Sequence, residues 1–237
     1  AAAAVRFSFL SVALWWLVFS IPLALAVREP RATPAAARRA AWSELRATLR
    51  SMAQHRSLWV FLVAYWLYMD GVNTIIKMAV DYGAALGLPT SGLMAALLLT
   101  QFVAFPAALA YGALGKRVGA RPAILGGLVV YIGVTLWATR LDSIAAFFGM
   151  AVVVGLVQGG VQSLSRSLFG QFVPPGKSAE YFGFYNMLGK FATVLGPVLI
   201  AVTARLTDDS RAGIGSVALL FLAGALLLWR VRVPRAA

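Results

Sequence analysis

FSFLSVALWWLVFSIPLALAV, the stretch from Phe7 to Val27, contains no charged residue in 21 positions. As a helix rising 1.5 Å per residue it is long enough to cross about 30 Å of hydrocarbon. A signal peptide is the competing reading, but its apolar core runs only about 7–15 residues before a small-residue cleavage site. Trp15, Trp16 and Pro22 inside the stretch do not fit that pattern, so the segment reads as a membrane span. Six more segments follow the same rule: Ser57–Ile76, Gly92–Leu114, Pro122–Thr139, Ser143–Ser165, Tyr181–Ala204 and Ala212–Trp229. Interior prolines Pro22, Pro106 and Pro197 are compatible with helix there, because neighbouring helices satisfy the freed carbonyls.

Composition agrees. Hydrophobic residues make up 61% of the 237 and charged ones 12%, far from the soluble globular average. The net charge of +13 raises nucleic acid as a partner, which requires a basic face on a folded soluble domain. The basic residues are instead sorted by loop. Fifteen fall on one side of the predicted spans and five on the other, with Lys190 inside a span. The positive-inside rule then places the loop from Arg28 to Arg56 and the C-terminus in the cytoplasm, and nucleic acid is not expected. The absence of cysteine excludes disulfides, thiolate metal sites and cysteine nucleophiles. The lone His55 has no second histidine or carboxylate at metal spacing, so it reads as a solvated loop residue. No metal, cofactor or catalytic set is expected. Seventeen Arg against four Lys suits a GC-rich bacterial genome, hence a bacterial cytoplasmic membrane.

The segment 31–56 differs from the other loops in length and charge. Thr33-Pro34 supplies a helix cap, and Trp42, Leu45, Leu49 and Met52 recur at helical spacing among arginines. That is the pattern of an amphipathic helix on an anionic membrane surface. Seven spans with a cytoplasmic C-terminus put the N-terminus outside, and the chain opens at Ala1 without Met or leader. The expected organisation is therefore a fragment: residues 1–30 the last helix of a missing N-terminal bundle, 31–56 a cytoplasmic linker, and 57–237 a six-helix bundle.

Polar side chains inside hydrocarbon are costly, roughly 2.5–3.5 kcal/mol for a central Asp or Lys, so their positions are informative. The second span carries Asp70 and Asn73 on one face, the third Gln101, the fifth Gln158 and Gln162 with Ser165, and the sixth Asn186 and Lys190 with Thr193 and Pro197. The first, fourth and seventh spans have no charge, Asn or Gln. Four helices are thus expected to line an interior and three to shield it. Such stripes serve equally as glue between helices, and Gly155-x-x-x-Gly159 is a close-packing pattern. Lys190 lies about nine residues, roughly 13 Å, from the inner end of its span, too deep to snorkel. The expectation is that it pairs with Asp70, the natural proton carrier, and that Arg166 and Glu180 form a cytoplasmic gate.

The loop Gly112-Ala113-Leu114-Gly115-Lys116-Arg117-Val118-Gly119-Ala120-Arg121 resembles the loop motif of the major facilitator superfamily, G-x-L-a-D-R-x-G-x-[RK], with Lys116 where the motif has Asp. Three further stretches, Tyr65 to Ile76, Gln158 to Phe169, and Glu180 to Asn186 continuing through Gly189-Lys190-Phe191, resemble the "unknown major facilitator" family. That family is similar to the autophagy-linked vacuolar amino-acid effluxers of fungi. The resemblance implies helices six to twelve of a twelve-helix carrier, with the third and sixth helix of each bundle peripheral, and a small-molecule substrate such as an amino acid. The functional expectation is a secondary transporter in the lipid bilayer, ion- or proton-coupled and working by alternating access. A seven-helix receptor or sensor is the alternative. A retinal protein is disfavoured because its Schiff-base Lys belongs in the last helix, and an enzyme because no acid pair, His cluster or nucleophile–base set is present.

Overall fold

A computed structural model of the chain describes residues 2–26, 46, 50–52 and 54–233. Helix accounts for 87% of the structure, and no strand occurs among the described residues. Among the described residues, seven segments are long and apolar enough to span a membrane, as the all-α reading expects. The chain divides into two compact units, Ala1–Arg46 and Ala47–Ala237. In the first, the opening apolar run forms α1, Ala2–Ala26, with Pro22 inside the helix.

The second unit begins with α2 (Arg56–Ala85), α3 (Thr90–Val118), α4 (Ala120–Ala138) and α5 (Ile144–Gly170). The sixth span consists of two helices, α6 (Ser178–Phe191) and α7 (Leu195–Thr207). The seventh consists of α8 (Ser210–Ser216) and α9 (Ala218–Arg230), separated by the near-helical Val217. At 30 residues α2 is about 45 Å long, so Lys77 and Asp81, expected in a loop, lie within its last turns. Small residues set the closest helix contacts, as they do in membranes generally. A Cβ on Gly155 would stand 2.8 Å from the Thr100 carbonyl oxygen, and one on Gly159 2.9 Å from the Ala108 Cβ. The Gly155-x-x-x-Gly159 pattern therefore serves the α3–α5 seam, which the Thr100 hydroxyl crosses to reach the Ala151 carbonyl at 3.2 Å. Gly71 and Gly224 do the same between α2 and α9, against Phe221 and Tyr68. Stacked rings of Tyr65, Tyr185 and Phe169 join α2, α6 and α5, with centroids 4.3 and 4.7 Å apart.

Two expectations need correction. The polar third and sixth spans are less buried within this unit than the dry fourth and seventh. Polarity marks one face of a helix, whereas burial reflects all of them. The other faces of the third and sixth spans are apolar and exposed, with Phe102, Phe105 and Leu109 on α3 and Val198, Val202 and Leu206 on α7. Pro22 and Pro106 sit inside continuous helices, but the sixth span does not continue through to Pro197. Thr193 and Pro197 thus do not share one helical stripe with Asn186 and Lys190.

Most of the 31–56 segment lies outside the described residues, including Trp42, Leu45 and Leu49. Residues 46, 50–52 and 54 are helical, Met52 is fully buried, and the Ser51 hydroxyl is 3.3 Å from that of Tyr181. His55 is exposed just before α2.

A broken helix and two cavities as the candidate functional site

Helix α6 stops at Phe191 and α7 starts at Leu195, leaving Ala192, Thr193 and Val194 outside helix in the middle of a span, with the Ala192 N–H closing α6 on the Leu188 carbonyl at 2.9 Å. Pro197 favours a break here without deciding it: its ring clashes with the carbonyl four residues back, and its own first-turn position needs no N–H. Exposed backbone groups at this depth cost several kcal/mol each unless satisfied. Two side chains one turn apart on α2 satisfy them. The Asp70 carboxylate accepts from Val194 N–H and Leu195 N–H at 2.9 Å each through Oδ2, and from Gly196 N–H at 2.6 Å through Oδ1. Thr74 Oγ1 adds a fourth donor at 3.3 Å. Asn73 Nδ2 donates to the Ala192 carbonyl at 2.7 Å. Asp70 therefore caps the start of one half-helix while Asn73 closes the end of the other. The partial positive charge at the α7 N-terminus, roughly half a unit, faces the carboxylate. Gly196 is required by this approach, since a Cβ there would overlap Thr74 Oγ1 and stand 2.9 Å from Asp70 Oδ1.

The expected Asp70–Lys190 pair is not formed. Asp70 is fully buried with its oxygens given to backbone N–H groups. Lys190 instead lines a cavity of about 670 Å³ together with Asn73, Gln162, Arg166, Asn186, Tyr65 and Tyr185. In that cavity Arg166 lies 4.9 Å above the Phe182 ring and donates to Asn186 Oδ1 at 3.4 Å. Gln101 and Gln158 belong elsewhere, to a largely apolar cavity of about 340 Å³ between α2, α3, α4 and α5. The Gln158 Oε1 atom is buried there without a hydrogen-bond partner. Ser165, on the same expected stripe, is glue: its hydroxyl lies 2.7 Å from that of Tyr68 and donates to the Val161 carbonyl at 2.6 Å. The single stripe of the fifth span thus serves two cavities and one helix contact. Glu180 sits in the first turn of α6 and lines neither cavity.

The loop motif is shorter than its sequence suggests. Gly112, Lys116 and Arg117 are still within α3, and the turn is Gly119 alone, at φ +93°, a conformation that favours glycine. Arg121 Nη1 donates to the Val231 carbonyl at 2.8 Å, closing the C-terminal end of α9. Missed by the sequence reading were the backbone groups of Ala192 and Val194 to Gly196. The Gly196-Pro197 pair was the available signal, since that dipeptide punctuates helices.

Broken spans beside polar cavities recur in carriers. The family described as "Vacuole effluxer Atg22 like" matches this chain over residues 1–237. The chain belongs to this family. Among the similar proteins is the uncharacterized MFS-type transporter YxiO of Bacillus subtilis, 40% identical over 233 residues, covering 95% of this chain and 53% of YxiO. The autophagy-related protein 22 of Coccidioides immitis is 26% identical over 254 residues, covering 94% of this chain and 42% of that protein. An autophagy-related protein 22-1 of Aspergillus niger is likewise 26% identical, over 250 residues, with 94% and 41% coverage. The chain spans about half the length of these relatives. The expected major-facilitator resemblance and the membrane-embedded fold are in agreement with these matches.

Proposed function

We propose that this chain forms the C-terminal part of a secondary transporter that moves a small solute by alternating access, coupled to protons, in a bacterial cytoplasmic membrane. The observation that carries the reading is the discontinuous sixth span held by Asp70 and Asn73 beside the cavity of Asn186 and Lys190. Half-helix ends at mid-membrane are where carriers build their sites, and short irregular segments absorb the rocking of helices around them. Asp70 supports proton coupling on chemical grounds. A proton on either oxygen adds a donor among N–H groups and leaves fewer lone pairs for them, so protonation of Asp70 weakens the hold on the break. The name YxiO supports a transporter in a bacterium, and the family description supports efflux. Both weigh against a receptor.

Amino acids are the first solutes to test. The full-length protein, including any segment that precedes Ala1, is reconstituted in liposomes with a radiolabelled amino-acid mixture. Accumulation driven by a pH gradient and lost in Asp70→Asn supports the proposal. Flux that ignores the gradient removes proton coupling, and no flux of any member removes amino acids as the substrate class.

A further inference from the structure

The cavity beneath the break carries two cations and, among the described residues, no carboxylate in its lining. Arg166 comes from α5 and Lys190 from α6, and the stacked rings of Tyr65 and Tyr185 share the lining with them. The only carboxylate nearby in sequence to the cavity-lining residues of α2 is Asp70, between the lining residues Met69 and Asn73, and its oxygens are taken by Val194, Leu195 and Gly196. The Lys190 ammonium has no hydrogen-bond or ion-pair partner among the described residues. The Arg166 guanidinium is held in place by the Phe182 ring and one long hydrogen bond to Asn186, neither of which neutralises it. Neutral donors and acceptors fill the gaps between the cations: Asn73, Gln162, Ser163 and Asn186. Both side chains are exposed, as membrane charges that face water are, so an anion entering the cavity meets two cations for which its lining supplies no carboxylate.

We infer that this cavity is an oxyanion site that takes the carboxylate of the transported solute, with Arg166 and Lys190 as its cationic clamp and the Tyr65–Tyr185 face as the bed for the solute's body. The inference rests on the transporter reading and names its substrate class. The planar fork of Arg166 matches a carboxylate edge, Lys190 supplies a point charge from the facing helix, and the stacked rings favour a flat or apolar body against them. The same counter-charge has a second source, a carboxylate of the protein itself contributed from outside the described residues.

The test uses the full-length protein purified in detergent, with benzoate as the probe and benzamide as its neutral isostere, at constant ionic strength. Benzoate is expected to raise the thermal unfolding midpoint in a saturable way and benzamide is not. Arg166→Gln and Lys190→Gln are each expected to weaken the benzoate response by roughly tenfold or more, the loss of one charge-assisted hydrogen bond. Lys190→Arg, which keeps the charge, should retain most of it and shows that the Gln variants fail in binding rather than folding. Equal responses to benzoate and benzamide, or a benzoate response untouched in both Gln variants, overturns the site. So does a wild type that ignores benzoate while Lys190→Gln alone lowers the midpoint, which assigns the clamp to a protein carboxylate. Because binding is read without a membrane, its failure leaves the flux experiment standing. Benzoate binding in a protein with no amino-acid flux would instead remove amino acids as the transported class and keep the site.

Discussion

Asp70 shows how a single residue was found for the right reason and given the wrong partner. Its presence in a 20-residue apolar stretch announced a satisfied charge, and Asn73 three residues on announced the face. The other charge inside a predicted span was Lys190, but the partners in the structure are backbone N–H groups, which carry no letter in a sequence. The energetics follow from that difference. Replacing Asp70 by Ala strands three N–H groups in low dielectric, at about 1–3 kcal/mol for each that finds no water. We expect a loss of about 3 kcal/mol or more in unfolding free energy for Asp70→Ala, measured by denaturant titration in micelles, and a smaller one for Asp70→Asn, whose amide oxygen still accepts. A double-mutant cycle of Asp70→Asn with Lys190→Gln should be additive within about 0.5 kcal/mol, as for residues without a shared partner. Coupling well above that would restore the direct pair. Gly196→Ala tests the clamp from the other side. Its methyl group overlaps Thr74 Oγ1, so it should destabilise even though Ala is the better helix former.

At the scale of elements, hydropathy and length located all seven spans, because the cost of burying polar backbone leaves a membrane chain little choice but helix. The boundaries of α2 and α3 run past the apolar core, since a helix continues into the interface until a breaker stops it. Gly87 at φ +79° and Gly119 at φ +93° are such stops. The break between α6 and α7 was not legible in the same way. Its hydropathy is continuous across Ser178–Thr207, and Pro106 shows that a proline alone leaves a span intact. What decides the matter is a second helix with an acceptor and a donor at the right height, and that is a tertiary fact. Pro197→Ala is therefore expected to leave the break in place. Backbone hydrogen exchange over residues 192–196 should stay close to wild type in Pro197→Ala and rise in Asn73→Ala, which frees the Ala192 carbonyl. The α3–α5 seam was legible, because Gly155 and Gly159 sit four apart. Gly155→Val pushes a branched side chain into the Thr100 carbonyl and Val103, and overpacking of this kind costs about 1–3 kcal/mol. An unchanged melting temperature for that variant would mean that α3 and α5 slide freely, contrary to the seam drawn here.

For the whole molecule, the distribution of charge makes an orientation that the fold alone does not. The six spans of the second unit place Gly119, the Gln171–Lys177 turn and Val231 at one end, and Gly87, Leu141 and Asp208 at the other, since successive spans reverse direction. The first set carries Lys116, Arg117, Arg121, Lys177, Arg230 and Arg232. The second carries Arg140, Arg205 and Arg211 offset by Asp142, Asp208 and Asp209. Several of these residues are also tied into the structure. Arg121 closes α9, and Arg211 Nη2 donates to the Leu141 carbonyl at 3.1 Å, so neither is free to act only as a topology signal. Cationic groups at helix C-termini are stabilising wherever they face. If such ties accounted for the bias, orientation would be set by other segments and could be inverted. The positive-inside rule predicts otherwise. Reporter fusions placed in the full-length protein after Arg121, Lys177 and Arg232 should score cytoplasmic, and those after Gly87, Asp142 and Asp209 external. Replacing Lys116, Arg117 and Lys177 by Gln, none of which makes a side-chain contact recorded above, should raise the fraction of inverted molecules while leaving the helix packing unaltered. A fusion at any one of the six sites that scores on the wrong side in the unmutated protein would break the alternation and remove the shared orientation of all six spans, and with it the cytoplasmic placement of the Arg166 end of the cavity.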